Sequence, residues 1–108
     1  MTVKELADAF SLTPLVMPQP DREVRGGYAG DLLSWVMGRA QEDQIWITIM
    51  NNVNTVAVAS LSDVSAVLLA EGVRLDPALL QTAEEKEINV LSSADSAFDL
   101  AARIGPAL

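Results

Sequence analysis

The sequence predicts an α/β domain, a small three-layer-like structure in which helices flank a mainly parallel sheet of about four to five strands. Three apolar runs of the kind that form strands buried on both faces occur at Ile45 to Met50, Val64 to Leu69 and Ile88 to Leu91. Segments with helical patterns separate these runs, as in strand–helix–strand crossovers. The 108 residues, 50% of them hydrophobic, suit one domain spanning residues 1–108 with its own core.

The chain begins with a predicted helix. Thr2 and Glu5 match a capping box, and Val3, Leu6 and Phe10 follow at helical spacing. A proline a few residues later ends this helix.

Short elements follow in a segment rich in proline and glycine. Leu15 to Met17 is predicted to be a short strand, and Val24 lies in a second one before the glycine pair Gly26-Gly27. Gly30 and Asp31 then open a helix that extends through Ala40.

The side chains that this helix is expected to turn toward the core are Leu32, Leu33, Val36, Met37 and Ala40. Trp35 lies off this stripe. It either contacts something beyond the monomer or packs under the neighbouring irregular segment.

The second half of the chain alternates strands and helices. Val53 to Asp63 has features of both, and we favour a short helix capped by Asn54 or Thr55, because a crossover would then join the strands on either side. Asp76-Pro77 marks the start of a helix that runs to about Lys86.

We expect one more helix near the C-terminus. Asp95 is predicted to cap it, and Gly105-Pro106 to end it. Phe98, Ala101 and Ala102 are the apolar residues that it carries.

Composition excludes several kinds of chemistry. The chain has no Cys and no His, which removes zinc sites, thiol chemistry and histidine general bases, so neither a metal nor a cofactor is predicted. A net charge of −8 opposes nucleic acid. No uninterrupted apolar stretch approaches the ~18 to 20 residues of a membrane span, and the N-terminus does not resemble a secretory signal. We expect a cytoplasmic protein.

Polar side chains follow each buried strand, where the loops of a parallel sheet bind ligands. The candidate ligand-binding residues are Asn51, Asn52, Asn54, Gly72, Ser92 and Ser93. Together they suit a small polar or nucleotide-like molecule. The alternative interpretation is that these residues only cap helices and form turns.

The glycine-rich segment is a second candidate. Gly26, Gly27 and Gly30 precede a predicted helix start at Asp31, and backbone N–H groups at such a place can hold an anion. The carboxylate of Asp31 would compete with a phosphate there. We therefore favour a tight turn between a strand and a helix, in which glycine supplies a positive φ.

Several segments resemble the small stand-alone proteins of the DRTGG domain family. They are residues 21–34, which include Gly-Gly-Tyr-Ala-Gly-Asp, and residues 43–49, 54–61 and 92–102. The resemblance implies a compact α/β domain similar to the N-terminal domain of HPr kinase/phosphorylase, without the kinase domain. Larger relatives carry this domain beside CBS domains in regulated pyrophosphatases and in some phosphotransacetylases, where it looks like a regulatory, dimer-forming module, in places close to an adenine-nucleotide site. Stand-alone versions occur in anaerobic bacteria, often near hydrogenase and signalling genes.

The chain departs from the residues that name this family. Asn51-Asn52 stands where the family has Asp-Arg, and Ala70-Glu71-Gly72 stands where it has Thr-Gly-Gly. The missing arginine and the net charge of −8 argue against tight phosphate binding.

Three functions follow, in order of preference. The first is a non-enzymatic regulatory domain that forms a homodimer, with Trp35 at the interface, and binds a partner protein or a small ligand at the strand ends. The second is an adenine-nucleotide sensor. The third is a small enzyme of unknown type. It ranks last because no acid–base pair, metal site or activated nucleophile stands out.

Overall fold

The computed structural model describes all 108 residues. The helices are α1 Val3–Ala9, α2 Leu33–Arg39, α3 Val53–Ser62, α4 Pro77–Glu85 and α5 Ala97–Ile104, with a 3-10 turn Gly105–Ala107 at the end. The strands are β1 Thr13–Val16, β2 Gly27–Ala29, β3 Ile45–Thr48, β4 Ala66–Leu69 and β5 Val90–Ser92.

The strands form one five-stranded sheet in the order β1-β5-β4-β3-β2. The pairs β2–β3, β3–β4 and β4–β5 are parallel, and only β1 runs antiparallel, against β5. All residues of β3 and β4 are buried. The predicted α/β fold with a mainly parallel sheet is confirmed.

The two faces of the sheet bury separate cores, because successive side chains of a strand point to opposite faces. On one face, Val3 and Leu6 of α1 and Leu100 and Ile104 of α5 belong to the core that includes Ile45 and Ile47 of β3. On the other face, α2, α3 and α4 cover the core that includes Trp46 of β3. The molecule therefore has three layers.

Local sequence signals are borne out at the start of the chain. The side chain of Thr2 accepts from the backbone N–H of Glu5, and the side chain of Glu5 accepts from the backbone N–H of Thr2 at 2.9 Å. These two bonds satisfy N–H groups that the first turn leaves without partners. The bond that the carboxylate of Glu5 accepts from the backbone N–H of Thr2 is also the largest of the causes that lower the pKa of Glu5.

The glycine-rich segment differs from the prediction. Val24 is buried but lies outside any strand, and the strand here is β2, which pairs with Ile45 to Ile47. The predicted turn into a helix at Gly30-Asp31 is wrong, since α2 begins at Leu33. Pairing with β3 provides hydrogen bonds that the local sequence does not reveal.

Helix α2 buries fewer side chains than predicted. Val36 and Ala40 are buried and Leu33 is partly buried, whereas Leu32 and Met37 are exposed. The later start leaves Leu32 in the preceding loop. Met37 points along the protein surface toward α3, where it lines a groove.

The predicted caps of two helices are also wrong. Helix α3 is capped by Asn52, whose side chain accepts from the backbone N–H of Asn54, and Thr55 is buried inside the helix. Helix α5 is capped by Ser96 instead of Asp95. In each case the capping side chain reaches a free N–H of the first turn.

The face that α5 turns inward was predicted incorrectly. Phe98 is 81% exposed, and Ala101 and Ala102 are exposed, whereas Leu100 and Ile104 are buried. These two lie four residues apart on one side of the helix, which is the side that packs on the sheet.

Candidate functional site

The carboxyl ends of β2, β3, β4 and β5 meet at one edge of the sheet, because these strands are parallel. The loops that follow them contain Asn51, Asn52, Gly72 and Ser93. Of the other two predicted ligand-binding residues, Ser92 is the last residue of β5 and Asn54 lies in the first turn of α3. We call this end of the sheet the carboxyl edge, and the predicted site would lie there.

Asp31 joins the ends of β2 and β3. Its carboxylate accepts a 2.8 Å hydrogen bond from the hydroxyl of Thr48 and a 3.0 Å bond from the backbone N–H of Ile49. The sequence predicts that Asp31 lies at the start of a helix. In the structure its carboxylate instead joins the ends of two strands by hydrogen bonds.

The loops after β4 and β5 are tied to each other. The backbone N–H of Gly72 donates to the carbonyl of Ser93, and that of Glu71 to the carbonyl of Asp95, both at 2.8 Å. The buried hydroxyl of Ser92 donates to the carbonyl of Val73 at 3.2 Å. Many polar groups of these loops are therefore used by the protein itself.

The asparagines of the β3–α3 loop are exposed, although two of them also form hydrogen bonds within the protein. Asn51 donates through its side chain to the carbonyl of Arg74 at 3.3 Å, and Asn52 caps α3. Both are exposed, as is Asn54. Asn54 lies on the side of α3 that faces α2. The structure thus brings Asn51, Gly72, Ser92 and Ser93 to one edge and separates Asn54 from them.

Charge at this edge is mixed. Arg103 forms an ion pair with Asp95, and their side chains are each about half exposed. Asp31 and Glu71 are also exposed. No group of three or more acidic side chains comes together to hold a metal ion.

The cavities of the molecule lie elsewhere, at places that the sequence does not predict. A groove of about 330 Å³ runs between α2 and α3, and its lining consists of Leu33, Ser34, Met37, Asn54, Ala57, Val58 and Leu61. The signal that points to it is that α3 contains no charged residue.

A second cavity, of about 410 Å³, lies beside β2 and α5. Gly26, Gly27 and the side chain of Arg25 border it. Gly26 has φ +151° and directs the chain into β2. The predicted glycine segment thus forms an edge strand beside a cavity and does not form an anion-binding turn at a helix start.

Trp35 is 55% exposed on the outer side of α2. The guanidinium of Arg39, one turn later, lies 4.1 Å from the centre of its ring, in the geometry of a cation–π contact. The interpretation in which Trp35 is covered by an irregular segment does not hold.

The model of the DRTGG domain family matches residues 29–107 of the chain. The chain belongs to the DRTGG domain family.

A solved structure with the same fold is the CBS and DRTGG domains of the regulatory region of Clostridium perfringens pyrophosphatase, complexed with its activator diadenosine tetraphosphate. The TM-score is 0.69 at 14% sequence identity, and the alignment covers 94% of this chain and 44% of that one. This DRTGG chain thus spans less than half the length of that regulatory region. No curated protein matches the chain, and none of its helices is both long and apolar enough to cross a membrane.

Proposed function

We propose that this DRTGG chain is a non-enzymatic regulatory domain that acts as a homodimer and responds to a small ligand at the carboxyl edge of its sheet. The observation that carries the proposal is the uncharged, partly exposed surface formed by α2 and α3. We call it the α2–α3 face and define it by its apolar residues Leu33, Met37, Val53, Ala57 and Leu61.

Helix α3 carries an exposed apolar stripe. It has no charged residue, yet Val53 is 64% exposed and Leu61 is 73% exposed. These two residues and Ala57 are spaced at four-residue intervals and form a stripe on the outer side of the helix. The side of a surface helix that faces away from the core normally carries charged or polar residues. The stripe therefore supports an interface on this side of the molecule.

A second copy of the chain is the occupant that charge favours. Each molecule carries a net charge of −8, so most ways of bringing two copies together place carboxylates near one another. The outer stripe of α3 has no charge to repel its equivalent. Two such stripes pack against each other without burying an unpaired charge. Trp35, two positions from both Leu33 and Met37, lies on another side of α2 and is a separate exposed apolar residue for the proposed dimer contact.

The small ligand is assigned to the polar loops of the carboxyl edge. Asn51, Asn52, Gly72 and Ser93 lie in the loops there, as binding sites of parallel sheets do. A polar molecule that bridges the β3–α3 loop and the paired loops after β4 and β5 would hold them in one arrangement. This supports ligand sensing at the edge more than catalysis, because Asp31 and Ser92 already form structural hydrogen bonds.

Analytical ultracentrifugation of the native protein and two matched variants tests the dimer. Leu61→Glu places a charge in the α2–α3 face, and Phe98→Glu makes a comparable change at an equally exposed site on α5, on the other face of the sheet. We expect the native protein and Phe98→Glu to be dimers at micromolar concentration and Leu61→Glu to be a monomer with an unchanged Tm. A monomeric native protein, or equal dissociation of both variants, would contradict the proposal.

The second candidate function is an adenine-nucleotide sensor, which the activator of the pyrophosphatase regulatory region favours. Calorimetric titration with ATP, AMP and diadenosine tetraphosphate tests it. Binding that is lost in Asn51→Ala but kept in Asn54→Ala would support a nucleotide at the carboxyl edge. No heat with any of the three would exclude this sensor and leave the dimer proposal intact.

A further inference from the structure

Strand β2 has a free edge. Its bonds to β3 use the carbonyl of Gly26, which accepts from Ile45 at 2.9 Å, and the N–H of Gly30, which donates to Ile47 at 3.1 Å. Backbone groups of a strand alternate in direction, so those of Gly27 and Ala29 point away from the sheet. Both residues are exposed. They offer two donors and two acceptors to another extended chain.

The opposite edge of the sheet is protected, whereas β2 is not. Strand β1 contains Pro14, and its pairing with β5 is irregular between Pro14 and Val16. Proline and irregular pairing are common ways of preventing an edge from adding further strands. Strand β2 has neither feature, and its residues are small except for Tyr28, which lies on the other face of the sheet.

The cavity of about 410 Å³ lies directly beside this free edge. Its apolar walls come from β3 and the end of the chain, through Ile45, Ile47, Ile104 and Leu108. Gly27 leaves it open, because a Cβ there would lie 3.4 Å from Ile45 and 4.0 Å from Leu108. The volume is sufficient for an apolar side chain of an added strand.

The only charged side chain among the residues that line this cavity is that of Arg25, which is basic. The side chain of Arg25 is 72% exposed, and its nearest carboxylate oxygen, on Asp43, lies 3.9 Å away. In a chain with 15 acidic and 7 basic residues, an accessible guanidinium at the end of an open strand attracts a carboxylate. The charge thus defines the chemistry of the occupant.

We propose that β2 binds an extended peptide segment of a partner protein, which adds to the sheet beside Gly27 and Ala29. An apolar side chain of the segment fills the cavity, and an acidic side chain or a terminal carboxylate pairs with Arg25. Main-chain hydrogen bonds supply affinity in this mode of recognition, and the cavity supplies specificity. The site lies on the α1–α5 side of the sheet and is separate from the α2–α3 face.

The experiment begins with selection of peptides from a random dodecapeptide phage library on the full chain. Ala29→Pro protein is used for counter-selection, because proline removes an N–H that β3 does not use. The selected peptides are synthesised and titrated by calorimetry against the native protein, Ala29→Pro, Gly27→Val and Arg25→Glu. The control variant is Arg74→Glu, which makes the same charge change on an exposed loop elsewhere.

We expect apolar, acidic peptides that shift the amide NMR signals of Gly27 and Ala29. Binding should weaken about tenfold in Ala29→Pro and Arg25→Glu and remain unchanged in Arg74→Glu. Gly27→Val adds a side chain that projects into the cavity, and valine favours strand structure. This variant keeps the test informative if the proline variant fails to fold. The proposal is overturned if no peptide is enriched, if binding survives in Gly27→Val, or if the two amide signals respond to protein concentration, which would identify a second copy as the occupant.

Discussion

The hydroxyl of Thr48 donates a hydrogen bond to the carboxylate of Asp31 across the ends of two neighbouring strands, at 2.8 Å. Thr48 is buried, and the same carboxylate oxygen also accepts from the backbone of Ile49. One side chain therefore links the ends of β2 and β3 at the candidate ligand-binding edge.

Removal of this carboxylate should destabilise the domain. Asp31→Ala leaves the buried hydroxyl of Thr48 without its acceptor, and we expect a loss of about 1–3 kcal/mol in the free energy of unfolding. Asp31→Asn retains an oxygen at the same position and should lose less. Urea unfolding followed by circular dichroism measures both variants, and equal stability of Asp31→Ala and the native protein would contradict the assignment.

The side chain of Arg22 should also stabilise the folded domain. Its guanidinium lies 3.1 Å from a carboxylate oxygen of Asp43 and 3.0 Å from one of Asp63, and the side chain is 20% exposed. It also donates to the backbone carbonyl of Asp63 at 2.6 Å. We expect Arg22→Ala to lose about 2 kcal/mol in urea unfolding, because hydrogen bonds to charged groups are lost at several points. Arg22→Lys cannot make all of these bonds and should be intermediate. Arg25→Ala, whose side chain is mostly exposed, is the control and should change little.

A substitution after α4 should stabilise the protein. Glu87 has φ +58°, a left-handed conformation that is unfavourable for glutamate and easy for glycine. We expect Glu87→Gly to raise the free energy of unfolding by about 0.5–1 kcal/mol. Glu84→Gly makes the same chemical change inside the helix and should lower it by about 1 kcal/mol. A decrease in both variants would show that the conformation of Glu87 carries no strain.

The stability that the capping box of α1 contributes should depend on pH. The pKa of Glu5 is lowered in the folded protein, so its contribution to stability is present at neutral pH and is lost as the pH falls through that lowered pKa. Glu5→Gln keeps a capping oxygen but does not titrate in this range. We expect the difference in urea midpoint between the native protein and Glu5→Gln to favour the native protein at neutral pH and to vanish or reverse in acid. A difference that is constant with pH would contradict this assignment.

The sequence by itself determined the features that depend on near neighbours. The capping box of Thr2 and Glu5, the buried strands β3 and β4, and the helix that begins at Pro77 were each visible within a few residues. These signals were sufficient for the α/β class, because alternation of buried strands and helices leaves few other architectures. The segments that resemble the DRTGG family are also recognisable in the sequence alone.

Only the tertiary structure decided the features that need distant partners. Gly27 to Ala29 form a strand because β3 supplies their hydrogen bonds, and α5 turns Leu100 inward instead of Phe98 because of where it packs on the sheet. The buried side chain of Asn89 donates to the carbonyls of Gln19 and Ser65, 70 and 24 residues away. Free strand edges, grooves and links such as the hydrogen bonds of Asp31 arise only when segments distant in sequence come together. Short-range patterns contain caps and periodicity, but they do not specify which surfaces remain uncovered after the strands have paired.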